Sequence, residues 1–391
     1  MSPVLTASWN YPTRILHGPG RIGELADACK ELGVERPLFV TDAGLRSTAM
    51  TENARGLLAQ HGVQDDIFSD IKSNPVGANI VAGVAAFRRG DHDGVIAFGG
   101  GSALDAAKAI AFMSGQTRPI WDFEDISDWW TRANSAGIAP IIAVPTTAGT
   151  GSEVGRAAVV LNEETHEKKI IFHPRMMPAI VISDPILTVG LPAKITAATG
   201  MDAFTHCFEA FCAPGFHPQA DGIALEGMRL IVSHLPRAVA DGKDLEARSR
   251  MLAAASMGAA AFQKGLGAVH SISHPVGALY DTHHGLTNAI VLPYVMMYNR
   301  AAIAEKMNHL ARVLDLRKGG FDGVLEFILD LRRTLAIPNS LGEIGVDDQR
   351  AHEIGRFAEA DPSTGGNPCP IDASAMTEIF KAAVAGDLAR V

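Results

Sequence analysis

Two hydrophobic rhythms divide the chain. Up to about residue 190, short apolar runs rich in β-branched residues (36–42, 94–98, 140–145 and 179–183) alternate with helical periods, of which 102–113 is the clearest. Runs that are apolar throughout belong to strands buried on both faces, and their alternation with helices predicts a parallel, Rossmann-like sheet covered on either side. After Asp184-Pro185 the β-branched runs thin out. Leu191-Pro192 predicts a helix with proline in its first turn, and from there to residue 391 nearly every segment has a helical period and is rich in Ala, Leu and Met. A chain of 391 residues exceeds the usual size of one core. We therefore expect an α/β domain over 1–189 and an all-α domain over 190–391, with the boundary near Gly190.

Composition narrows the class. With 47% hydrophobic and 20% charged residues the chain reads as compact and globular. A net charge of −9 without a run of Lys or Arg argues against nucleic acid or an anionic membrane as partner, so a bound phosphate would need local geometry to hold it. Four cysteines, Cys29, Cys207, Cys212 and Cys369, show no CxxC spacing and are too few for a disulfide framework, which points to a reducing, cytoplasmic setting. The first twenty residues show no targeting pattern, and no stretch stays apolar for the ~18 residues of a membrane span.

Two loops could cradle a nucleotide. Phe98-Gly99-Gly100-Gly101-Ser102 joins a buried strand to a helix, so glycines let the backbone approach a pyrophosphate while the helix N-terminus offers free N–H groups; a plain tight turn explains the same residues. It is not the GxGxxG fingerprint. Asp42, ending the first clear strand, could accept from ribose hydroxyls and repel a 2′-phosphate, favouring NAD over NADP, or could simply cap a turn. Residues 145–153, PTTAGTGSE, follow another strand and are dense in hydroxyls and glycines.

Ligands for a metal ion stand in the second half. Asp202 and His206 are four apart and share one helix face. His270, His274 and His284 lie in one glycine-flanked stretch, with Pro275 expected to kink the helix where His274 is presented. A carboxylate oxygen with three imidazole nitrogens suits Fe2+ or Zn2+ better than Mg2+ or Ca2+, which prefer oxygen shells. A single histidine among the chain's 14 is more often a core or surface residue; the combination is what carries the signal.

On VTD, SNP, FGGGSALDAAKA, PTTAGTGSE, ATGMDAFTHCFEAF, GLGAVHSISHPVGA, HHGLTNAIVLP and TGGNP, the chain resembles the iron-containing (group III) alcohol dehydrogenases almost end to end. The resemblance implies the dehydroquinate synthase-like fold of that family, with NAD in the N-terminal domain, metal in the helical one and reaction in the cleft between. It implies that Asp202, His206, His270 and His284 bind the ion and that His274 sits beside the substrate. Asp42, Asn74, Gly99, Gly100, Gly101, Ser102, Asp105, Thr146, Thr147, Thr150 and Lys168 would surround NAD(H). It also implies a homodimer or larger homo-oligomer. Three positions depart from the family pattern: Gly155 stands where a hydroxyl residue is common, His283 where a proline often precedes the last ligand, and Cys369 where an arginine usually follows Asn-Pro. The two adjacent histidines leave the fourth ligand ambiguous by one position.

The chemistry so implied is hydride transfer between a primary alcohol or diol and NAD, the ion acting as Lewis acid and His274 relaying the proton or else supporting the ligands. In a strand over 154–160, Gly155, Ala157 and Val159 would share one face and, with Phe262, form a roomy apolar pocket. Arg156 would point away, or, if the strand bends, could hold the carboxylate of an ω-hydroxy acid such as 4-hydroxybutyrate. A dehydroquinate synthase-type lyase and a non-catalytic nucleotide-binding protein are the readings from other classes; the metal-bearing stretches are poor in the basic residues the lyase needs.

Overall fold

The computed structural model describes residues 11, 13–165 and 167–391. Of the N-terminal stretch scanned above for a targeting signal, residues 1–10 and 12 therefore lie outside the described part. The chain forms two compact units, 11–190 and 191–391.

The first unit is built on a six-stranded sheet, all of whose neighbouring pairs are parallel. Its strands are β1 (Arg14–His17), β2 (Pro37–Val40), β3 (Asp66–Phe68), β4 (Gly94–Gly99), β5 (Ile141–Pro145) and, after a separate hairpin of β6 (Ala157–Asn162) and β7 (Glu167–Phe172), β8 (Ile180–Ser183). Helices α1 (Leu25–Glu31), α2 (Ala49–Gln60), α3 (Gly77–Arg89) and α4 (Gly101–Met113) connect the strands. Strands β2, β4, β5 and β8 are buried at every position, which is why they read as apolar runs. Phe39 and Phe98, both fully buried with ring centroids 5.1 Å apart, anchor one core with Leu25, Leu58 and Val144. Each such side chain contributes roughly 1.5–3 kcal/mol by leaving water. The antiparallel β6–β7 hairpin was not anticipated by the strand and helix alternation, because it stands outside the main sheet and its strands are partly exposed.

The strand order β1-β8-β5-β4-β2-β3 positions a site. From β2 the chain moves to β3 on one side, and from β4 to β5 on the other. Neighbouring strands whose connections leave in opposite directions open a crevice at their carboxyl ends, where ligands of such sheets bind. Asp42 follows β2 and the glycine turn follows β4, so both flank that crevice.

The second unit has eight α-helices among the described residues: α5 (Ala193–Cys212), α6 (Pro218–Ala240), α7 (Leu245–Ala261), α8 (Ala268–Tyr280), α9 (His284–Val313), α10 (Gly320–Thr334), α11 (Ala351–Ala360) and α12 (Ala373–Ala385). Helix α5 is buried at every position from Thr196 to Cys212 and packs on α6, α7 and α9, so it forms the centre of the unit. Pro192 is the N-cap of α5 and precedes the first turn in which we expected it; its fixed φ suits either position. Helix α8 runs through Pro275 without interruption.

Candidate active site

At the carboxyl ends of β2, β4 and β5 the residues expected around a nucleotide come together. Asp42 closes a turn, its Oδ1 accepting from the Leu45 N–H at 3.0 Å, while its Oδ2 faces Gly99: a β-carbon built there would lie 3.5 Å away. Gly99 has φ +148°, a conformation that disfavours side chains, and Gly100 caps α4. A β-carbon on Gly101 would meet Thr150 Cγ2 at 2.5 Å and one on Gly100 would meet Thr147 Cγ2 at 3.3 Å, so the two loops pack backbone against threonine. Thr146 N–H donates to the Gly99 carbonyl at 2.9 Å, and Ser102 Oγ donates to the Ser73 carbonyl beside Asn74. The first amides of α4 thus face a lining of small residues, an arrangement that fits a pyrophosphate.

Asp105 and Lys168 stand differently. The Asp105 carboxylate accepts from Ser152 Oγ at 2.5 Å and Val159 N–H at 3.0 Å and lies 3.1 Å from Lys108 Nζ, so it braces the 152–159 segment against α4. Lys168 is half-buried on β7, opposite Leu161. Glu153 is buried within reach of the Lys108 charge, and burial pushes its pKa up to about 7, only partly opposed by its own backbone N–H and by Lys108.

In the helical unit Asp202, His206, His270 and His284 converge. Their elements explain how. Asp202 and His206 share a face of α5; His270 lies in the first turn of α8; His284 is the first residue of α9. The start of α9 can rest on α5 only because residue 285 is glycine: a β-carbon there would be 2.4 Å from the Ala198 carbonyl oxygen and 2.9 Å from Asp202 Cβ. From Asp202 Oδ1 the Nε2 atoms of His206, His270 and His284 are 3.9, 3.9 and 3.7 Å away. Ligand atoms of Asp202, His206 and His270, all buried, lie within 4.8 Å of one another. His283 instead caps α9, its Nδ1 accepting from the Leu286 N–H at 3.4 Å. His283 turns its ring to the first turn of α9, so of the two adjacent histidines it is His284 that brings Nε2 near Asp202.

The donor set fits a divalent cation. Asn288 Nδ2 lies 2.8 Å from Asp202 Oδ1 and 3.1 Å from both His270 Nε2 and His284 Nε2. An amide nitrogen carries two hydrogens and cannot satisfy three lone pairs aimed at one place; a metal ion can. Behind this set Glu209 takes His270 Nδ1 at 2.5 Å through Oε2 and the Val269 N–H at 2.8 Å through Oε1. A carboxylate only accepts, so Nδ1 carries the proton and the Nε2 lone pair is left for an ion that would bind there. Burial disfavours charge on His270, but the hydrogen bond and charge of Glu209, with that of Asp202, outweigh it and raise its pKa.

His274, one turn after His270, has its ring 5.4 Å from that of His284, stacked within 13°, and its Nδ1 2.7 Å from Asp361 Oδ2. Burial favours a neutral Asp361, yet His274 and the Ser363 N–H hold its pKa below the usual carboxylate value. Phe262 packs edge-on against His206 at 5.1 Å. Ala157 and Val159 are half-buried on β6 with Gly155 just ahead of it, while the Arg156 guanidinium lies 5.5 Å over the Phe172 ring and its charge acts on Asp125. Sequence reasoning missed Glu209, Asn288 and Asp361. The first two carried a signal, since Glu209 stands three residues after His206 and Asn288 four after His284 on shared helix faces. Asp361 is 87 residues from His274 and carried none.

Known proteins are similar to this chain in sequence and fold. Residues 12–185 match the family model described as iron-containing alcohol dehydrogenase, and 196–384 that described as Fe-containing alcohol dehydrogenase family, C-terminal. A 4-hydroxybutyrate dehydrogenase from Cupriavidus necator is 38% identical over 368 residues, covering 92% of this chain and 94% of its own. An NAD-dependent methanol dehydrogenase from Bacillus methanolicus is 34% identical over 380 residues, covering 95% and 98%. The crystal structure of a 1,3-propanediol oxidoreductase superposes with a TM-score of 0.91 at 34% identity, covering 96% of this chain and 100% of that one. The chain belongs to the iron-containing alcohol dehydrogenase family. It is accordingly an oxidoreductase, which sets aside the lyase and the non-catalytic readings.

Proposed function

We propose that this enzyme interconverts a primary alcohol or diol and its aldehyde with NAD(H), using Fe2+ held by Asp202, His206, His270 and His284. The observation that carries the reading is the convergence of one carboxylate oxygen and three imidazole nitrogens on a place that Asn288 alone cannot satisfy. Bound there, the ion would supply Lewis acidity toward the alcohol or carbonyl oxygen. Zn2+ suits the same donors.

The chain's own residues do the rest. Glu209 keeps His270 in the ligating tautomer. Gly99, Gly100 and Gly101 let the α4 amides approach the pyrophosphate, with Ser102, Thr146, Thr147, Thr150 and Asn74 around it, while Asp42 accepts from ribose hydroxyls and repels a 2′-phosphate. Asp105 and Lys108 hold the threonine-rich loop. Lys168 of the hairpin completes the cofactor set. His274 exchanges a proton with the substrate oxygen, with Phe262, packed on His206, as the apolar substrate contact of the helical unit; Gly155, Ala157 and Val159 are the apolar substrate candidates of the α/β unit.

The relatives support this class of substrate, and one favours a second reading: the Cupriavidus necator protein is a 4-hydroxybutyrate dehydrogenase. Arg156 is the candidate carboxylate clamp, although its guanidinium rests over Phe172. Wild type and Arg156→Ala, reconstituted with Fe2+, should be assayed on 1-butanol, 1,3-propanediol and 4-hydroxybutyrate with NAD+ and NADP+. We expect NAD+-linked oxidation of the alcohols that chelation abolishes; no NADH from any of the three would refute the assignment. A loss in Arg156→Ala confined to 4-hydroxybutyrate would establish the clamp, and an equal loss on all three substrates would eliminate it.

Among the described residues no helix is long and apolar enough to cross a membrane. We place the enzyme in the cytoplasm because its four cysteines are free thiols. From the family we infer a dimer or larger homo-oligomer, which size-exclusion chromatography with light scattering would test.

A further inference from the structure

The late TGGNP stretch finds its meaning in the way it lies along α8. Residues Pro362–Gly366 form a 3₁₀ turn, in which side chains three apart fall on one side. The polar residues at that spacing meet α8 residues at the same spacing, in reverse order. Asp361 Oδ2 is 2.7 Å from His274 Nδ1, Thr364 Oγ1 is 2.7 Å from Ser271 Oγ, and Asn367 Oδ1 accepts from the Ala268 N–H at 3.3 Å. The approach is close, since a β-carbon on Gly366 would fall 2.0 Å from the Leu266 carbonyl oxygen. Asn367 is in turn fixed by two reciprocal amide hydrogen bonds with Asn299 of α9, each 2.9 Å.

We propose that Asp361 is a positioning residue for His274, and that the 361–367 segment is a splint which holds Asp361 in register with α8. The Asp361 carboxylate can only accept, so it keeps the proton on Nδ1 and leaves the His274 Nε2 lone pair to meet a substrate hydroxyl. Its second oxygen accepts from the Ser363 N–H at 2.8 Å, which prevents the carboxylate from turning away. His274 sits on a helix with its ring orientation set by Asp361 at Nδ1 and, on one face, by the stacked ring of His284. An amide in place of the carboxylate would keep the shape and present an N–H to Nδ1, selecting the wrong tautomer.

The proposal rests on the reading that His274 serves the substrate. Its test is a double-mutant cycle on the Fe2+-loaded enzyme, comparing Asp361→Asn, His274→Ala and the double variant for kcat, KM, bound metal and Tm. We expect Asp361→Asn to lower kcat by about 10²-fold while KM for NAD+ and metal content stay unchanged. In the His274→Ala background the same change should cost less than about twofold, because the group it acts through is gone. Asp361→Glu, which keeps the acceptor, should retain kcat within about fivefold of wild type and guards against a misfolded Asn variant. A His274→Ala variant with undiminished kcat would overturn the reading of the site, and this proposal with it. If His274→Ala is defective but Asp361→Asn turns over like wild type, or costs as much without His274 as with it, the proposal alone falls.

Discussion

The two sites we propose, one in each unit, draw on opposite materials. In the α/β unit the proposed nucleotide site is made of what is absent: three glycines, the first amides of α4, which have no acceptor within their own helix, and small hydroxyl residues packed against them. In the helical unit the proposed ion site is made of side chains that bring their own support, Asp202 with Asn288 and His270 with Glu209. A site of backbone and a site of side chains fail for different reasons. The first is blocked when atoms are added, and the second is lost when they are removed.

This contrast can be tested from its strongest consequence down. His270→Ala should empty the ion site and abolish turnover, read as metal per chain by mass spectrometry beside the NADH assay, with NAD+ binding retained in the other unit. Full metal occupancy in that variant would remove His270 from the ligand set. Gly101→Leu should do the converse. Its β-carbon would start 2.5 Å from Thr150 Cγ2, and relieving an overlap of this kind costs about 1–3 kcal/mol. We expect KM for NAD+ to rise by about tenfold or more with bound metal unchanged; an unaltered KM would mean that the glycine turn is only a turn.

A milder test acts one residue behind the ligands. Glu209→Gln keeps the size of the side chain but ends its role as an obligate acceptor, and should weaken metal binding by about 10–100-fold in a chelator titration. An unchanged affinity would make Glu209 a packing residue.

The smallest expected effect is on stability, through Glu153 under the threonine-rich loop. Its pKa is near 7 in the folded protein against an ordinary 4.5, so folding takes up a proton between those values. Stability from this group is complete below pH 4.5 and is lost as pH rises through 7. Glu153→Gln should therefore be more stable than wild type at pH 8, by up to roughly 3 kcal/mol, with the gain shrinking toward zero near pH 4.5. Urea unfolding at pH 8 and pH 5 measures it, and an equal difference at both would show that the carboxyl is not held neutral.

Much of the fold was legible because its signals are local. Buried parallel strands are apolar at every position, so β2, β4, β5 and β8 stood out, and helix α4 followed its glycine turn as expected. The β6–β7 hairpin did not stand out, since the apolar pattern of its second strand is broken by two half-buried lysines, Lys168 and Lys169, and it contributes nothing to the main sheet. At the ion site Asp202 and His206 were legible as a pair because four residues bring a helix back to the same face. The role of Arg156 was not, because its direction depends on Phe172, sixteen residues on and across the hairpin.

By itself, then, the sequence determined the two rhythms, the change between them near residue 190, the glycine-lined strand ends and the residue types able to hold a divalent ion. Each of these is written within a few residues and is fixed by backbone sterics, helical periodicity or ligand chemistry. Only the tertiary structure sets His284 beside Asp202 and leaves His283 capping α9, since that depends on α9 starting hard against α5 at Gly285. It likewise decided that Glu209 would back His270 across 61 residues and Asp361 would meet His274 across 87. Contacts of that separation come from how whole helices pack, and no local pattern records them.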